Sequence, residues 1–151
     1  MEIARALHLL GVIVWVGGMF FAYMALRPAA GKVLEAAQRP PLWAATFAKF
    51  FSWVWVSIWL ILGSGLYMLL KMGGFAAAPR YVHIMFLLGI VMMLLFGHVY
   101  FGPFRKLKRQ VALKDWPQAS AALNQIRKLV GVNLILGLVT VAVATAGKVP
   151  L

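Results

Sequence analysis

The run Leu7 to Arg27, LHLLGVIVWVGGMFFAYMALR, constrains this chain more than any other stretch. About 20 apolar residues of helix cover the roughly 30 Å of a bilayer's hydrocarbon core, and this run has that length. An imidazole, His8, stands near its start, and a polar ring inside a span is costly enough to mark a candidate site. Steps of three and four from His8 reach Gly11, Trp15, Gly18 and Ala22, which therefore share one helical face. That face offers a ligand at one end and small residues below it, where a second helix or a flat group can approach closely.

The remaining sequence has the same character. Hydrophobic residues make up 64% of the chain and the mean hydropathy is +0.89, which excludes an ordinary soluble domain and specifies an integral membrane protein in the lipid bilayer. No cysteine occurs, so disulfides, thiolate metal sites and iron–sulfur ligation are excluded together, leaving three His and eight Met as nitrogen and soft ligands. The net charge of +12 is opposed only by Glu2, Glu35 and Asp115. Its basic residues lie at the ends of apolar runs, where they read as membrane-surface charge and not as a nucleic-acid patch. The first run is too long, and its preceding segment too weakly basic, for a secretory signal; it is read as a retained helix.

Hydropathy places four spans at about 5–26, 47–71, 81–104 and 129–147. The expected fold is all-α: a single domain over residues 1–151, an integral membrane four-helix bundle running up-down-up-down. Its third connection, residues 105–128, is a basic cytoplasmic loop. Loops one and three together with Lys49 hold eleven Lys and Arg, whereas Arg5, Lys71, Arg80 and Lys148 are the only ones on the other side. Positive residues stay in the cytoplasm, so both termini are expected in the periplasm of a bacterial inner membrane, with His8 in the outer half of the bilayer. Asp115 before Trp116-Pro117 reads as a capped helix start. Ala119 to Lys128 either continues into the fourth span or lies as a basic amphipathic segment on anionic lipid. Trp43, Phe47, Phe50 and Phe51 suit an interfacial belt, and Trp59 is expected to pack within its span.

His83 opens the third span as His8 opens the first, and each follows an arginine by three residues: Arg5-Ala6-Leu7-His8 and Arg80-Tyr81-Val82-His83. Three residues rise about 4.5 Å, which puts each Arg one layer nearer the outer surface on the face of its His. A haem b held edge-on needs two axial nitrogens and two cations for its propionates, which His8, His83, Arg5 and Arg80 supply. Gly11 and Gly18 would make room for the macrocycle, and Trp15 and Phe86 would pack on its edges. His98 lies about 22 Å further along its helix. A second haem there would need Lys49, Tyr23 or Met24 as partner, and His98 is otherwise an interfacial residue beside Tyr100 and Arg105. The competing reading is copper: Met68, Met72 and Met85 fall near His8 and His83, and thioether with imidazole suits Cu(I). Asn133, Gly137, Thr140 and Ala144 share a face of the fourth span, with Asn133 also placed to bond a ligand. Gly63-Ser64-Gly65 would support a homodimer.

The segments ALHLLGVIVWVGGMFFAYMALRP and RYVHIMFLLGIVMMLLFGHVYFGPF resemble the copper-resistance protein D (CopD) family, and the likeness covers most of the chain. The sequence is also similar to membrane protoporphyrinogen oxidases of the HemJ type, whose haem-binding pattern His8, His83, His98 and Asn133 match. Met85 stands where that pattern has lysine, and Leu134 and Ile135 replace its polar residues after the Asn. The histidine pair makes the first reading a haem b membrane protein exchanging electrons with a quinone or a periplasmic redox protein, and the CopD resemblance implies the second, a copper-handling one. Porphyrinogen oxidation comes third, because no acid–base pair lies within the spans.

Overall fold

The structure is a computed structural model that describes residues 1–147; Lys148 of the charge count lies outside them. It contains helices and turns and, among the described residues, no strand. Helix α1 (Glu2–Phe21) passes through a π turn (Ala22–Leu26) into α2 (Arg27–Val33). The Arg27 amide reaches back five residues to the Ala22 carbonyl, immediately before Pro28, whose ring would press on the carbonyl four residues behind it in a regular α-helix. Helix α3 (Arg39–Lys71) starts with Pro40 and Pro41 in its first turn. It ends at Gly73 and Gly74, both in the left-handed region, with their amides bonded to Leu70 and Leu69 carbonyls. After a short 3-10 turn (Phe75–Ala77) come α4 (Arg80–Phe101), α5 (Pro103–Ala112) and α6 (Trp116–Ala146). Gly102 and Pro103 break α4 from α5. Asp115 caps α6 as its sequence implies, its carboxylate accepting from the Gln118 amide at 3.2 Å.

Four helical stretches are long and apolar enough to cross a membrane, Glu2–Val33, Arg39–Lys71, Arg80–Ala112 and Trp116–Ala146, and the chain is a multi-pass membrane protein. Each is longer than hydropathy indicates, because the helical hydrogen bonds continue into polar ends that a hydropathy window excludes. Most of the segment 105–128, expected as a loop, is accordingly helix: α5 and the first turns of α6. Ala119, Ala122 and Ile126 are buried and α5 packs along this part of α6, so the segment is built into the bundle, not laid on lipid.

Helix α1 packs mainly along α3, and α4 along α6. In the first pair the contacts run in opposite directions, with His8 beside Ser64, Gly11 beside Ile61 and Gly18 beside Phe50. Val16 of α1 meets Gly137 of α6, and Tyr23 of the π turn meets Gly131. The core is an aromatic stack: Phe47 and Phe51 lie parallel at 4.9 Å, and Phe96 and Phe104 meet Phe51 edge-on. Two aromatic assignments change here. Trp43, Phe47 and Phe51 belong to the core and not to an interfacial belt, whereas Trp59 is 70% exposed on the lipid-facing side of α3. A three-four count shows which residues share a face; it does not show which face the neighbouring helices cover.

Candidate functional site

His8 turns into the seam between α1 and α3. Its Nδ1 lies 3.1 Å from the Ile61 carbonyl and 3.1 Å from the Ser64 hydroxyl. A carbonyl only accepts, so Nδ1 carries the proton; the Ser64 hydroxyl gives its own proton to the Leu60 carbonyl and also accepts from His8. Nε2 is left with a free lone pair, and the ring orientation is fixed. Gly65 makes this fit possible, since a Cβ there would stand 3.2 Å from His8 Cε1.

His83 is exposed on α4, its ring 5.7 Å from that of Phe75. Its Nδ1 lies 3.1 Å from the Pro79 carbonyl, one turn back, which accepts the Nδ1–H and leaves Nε2 pointing away from that bond. The two imidazoles therefore occupy different settings, one in the α1–α3 seam and one on the outside of α4, and share a tautomer. Arg5 pairs with Glu2 at 3.1 Å in the exposed first turn. Arg80 is exposed, and Phe86 packs edge-on against Phe75 at 5.0 Å.

The small residues below His8 are filled by α3. A Cβ on Gly11 would meet Ile61 at 2.8 Å, and the ring of Phe50 covers Gly18. Trp15 is buried edge-on to Phe96 at 6.1 Å. The residues expected to seat a macrocycle thus seat a helix, and the packing gives the haem reading no support. Gly63-Ser64-Gly65 serves the same seam: Ser64 and Gly65 both face His8, and only Gly63 points to open space.

Among the methionines, Met68 follows Ser64 by one turn of α3 and Met72 is the C-cap residue of that helix. Met68 and Met85 are half-buried and Met72 is exposed. His98 is exposed on α4. Asn133 is buried in α6, its Nδ2 donating to the Met92 carbonyl at 3.3 Å and its Oδ1 unpartnered among the described residues. It borders a cavity of about 10 Å³ with Trp15, Met19 and Phe51, the size of one water. No cluster of three or more His, Asp or Glu able to hold a metal occurs among the described residues. Sequence reasoning missed Ser64 as the partner of His8. Its signal was a serine set between two glycines in the apolar run of α3.

A family model described as Copper resistance protein D matches residues 44–146, from α3 to the end of α6, which includes His83, His98, Asn133 and all three candidate methionines but leaves His8 ahead of it. No curated protein and no solved structure matches the chain. The match spans well over half of the sequence, and the chain belongs to the copper resistance protein D family.

Proposed function

We propose that this protein handles copper in the bacterial inner membrane, binding Cu(I) at the periplasmic end of the bundle. The observation that carries this reading is the tautomer shared by His8 and His83, in which a backbone carbonyl holds each Nδ1–H and each Nε2 is free to ligate. Copper is also what the family's description names. A soft cation needs soft partners: Met68 lies one turn beyond Ser64, Met72 caps α3, and Met85 lies near the start of α4. His8 with Met68 and Met72 forms the favoured donor set, His83 with Met85 the supplementary one. Copper bound there would supply a labile, soft coordination centre; the protein's part is to orient the imidazoles and keep the metal at the membrane edge. Transport across the bilayer would require an assembly, since a single four-helix bundle is short for a transporter.

The test is a competition titration of detergent-purified protein with Cu(I) against a chromophoric chelator, with an absorption spectrum and iron analysis of the same sample. The wild type should take up copper, and His8→Ala should weaken binding by about tenfold or more, as loss of one ligand from a small set does. Met68→Leu should weaken it less. Equal uptake by wild type and a His8→Ala/His83→Ala double variant would sink the assignment, and a Soret band with stoichiometric iron would replace copper by haem.

A further inference from the structure

At the other end of the bundle lies a cavity of about 330 Å³ between the π turn with α2, α3 and α6. Tyr23 and the His8 ring are fifteen residues apart, about 22 Å along the helix, so this cavity is separate from the imidazole site. Trp43 and Phe47, both buried, give it an apolar wall. Three half-buried arginines line it: Arg27, Arg39 and Arg127. Its lining holds no Asp or Glu, and the one ion pair among the described residues is Arg5 with Glu2, far from here.

Two of the three guanidinium groups are held in place. That of Arg27 stacks on the Tyr23 ring at 4.9 Å, and the Tyr23 ring itself rests on Gly131, where a Cβ would come within 3.0 Å. Arg39 donates from Nε to the Leu34 carbonyl at 3.1 Å and from Nη2 to the Gly31 carbonyl at 2.9 Å, which leaves its Nη1 hydrogens unused. The π turn itself, a widening of the helix frequent at ligand sites, carries Tyr23 and precedes Arg27 directly. Three like charges lining one partly dry space repel each other unless an anion sits among them, and guanidinium is the side chain best matched to a phosphate's oxygens.

We propose that this cavity binds a phosphate-bearing anion, its oxygens taken by Arg27, Arg39 and Arg127 and its organic portion laid on Trp43 and Phe47. Such a phosphate comes either from the headgroup of an anionic lipid or from a free phosphate compound, and both use the same donors.

Native mass spectrometry of the detergent-purified protein, after adding phosphatidylglycerol or phosphatidylcholine of identical chains, tests the first source. Thermal unfolding with and without inorganic phosphate tests the second. The expected result is preferential retention of phosphatidylglycerol by the wild type, reduced about fivefold or more in Arg27→Gln/Arg127→Gln and unchanged in Lys106→Gln/Arg109→Gln, whose exposed charges lie outside the cavity. No lipid preference, combined with a phosphate-dependent rise in unfolding temperature that the first double variant loses, supports the site with a free phosphate as its ligand. Asn124→Trp, which obstructs the cavity from an exposed lining position without removing a cation, should abolish whichever effect is seen and serves if the arginine variant fails to fold. The proposal is overturned if the wild type shows neither effect, or if the two double variants lose retention equally, since that is attraction to basic surface in general.

Discussion

The seam at His8 is tight enough that single atoms decide what the imidazole can do. A Cβ at Gly65 would press on Cε1 from 3.2 Å, so Gly65→Ala should tilt the ring and lengthen its bond to the Ile61 carbonyl while leaving the exposed His83 undisturbed. Cu(I) titration should show a several-fold loss for Gly65→Ala with an unaltered circular dichroism spectrum; unchanged affinity would detach the seam from metal binding. Asn133 presents the converse case, a buried amide with one hydrogen bond made and one oxygen unmet. Hydrogen bonds between helices in membranes contribute only about 0.6 kcal/mol on average, and replacing a poorly satisfied amide by an apolar side chain of like size is close to neutral. Asn133→Leu should therefore leave the unfolding temperature in detergent nearly unchanged or raised, whereas Asn133→Ala, which opens a void, should lower it. A large loss in the Leu variant would show that the Oδ1 has a partner of functional importance.

Between elements, the contact of α1 with α3 depends on which glycine faces the neighbour. Gly17 and Gly18 are adjacent, yet Gly17 has open space beside it and Gly18 lies under the Phe50 ring. Gly18→Leu should destabilise the pair by about 1–3 kcal/mol through overpacking, and Gly17→Leu should not; equal effects in a detergent unfolding assay would contradict the packing of this seam. The same pair shows how far sequence reasoning reaches. The His8 face of α1 was legible from its spacing, as were four apolar spans and the Asp115 cap. What lies against that face was not, because a small residue accepts a helix or a flat ligand equally well and periodicity does not distinguish them. Helix ends were also misplaced: Arg27 to Val33 and Arg105 to Ala112 are polar enough to read as loop, yet both are helix, with Ala30 buried in the first and Leu107 in the second. The two carbonyls that set the His tautomers were hidden for a related reason, since backbone acceptors have no sequence signature.

Across the whole molecule, charge is distributed by end. Arg27, Arg39, Arg105, Lys106, Lys108 and Arg109 gather at the end that carries α2 and α5, while the end with His8 and the 3-10 turn holds Arg5, paired with Glu2, together with Lys71 and Arg80. Basic segments resist translocation, so the α2–α5 end should face the cytoplasm and the His8 end the periplasm, which places the proposed copper ligands and the proposed phosphate cavity on opposite sides of one membrane. Because the chain has no cysteine, single reporters can be added to an otherwise unreactive background. Ala76→Cys lies exposed in the 3-10 turn and Leu113→Cys lies exposed just after α5. In intact spheroplasts a membrane-impermeant maleimide should modify the first and spare the second, with the second reacting only after permeabilisation. The opposite pattern would invert the molecule and put His8 on the cytoplasmic side, where a copper site would meet a reducing, copper-poor compartment instead of the periplasmic metal supply.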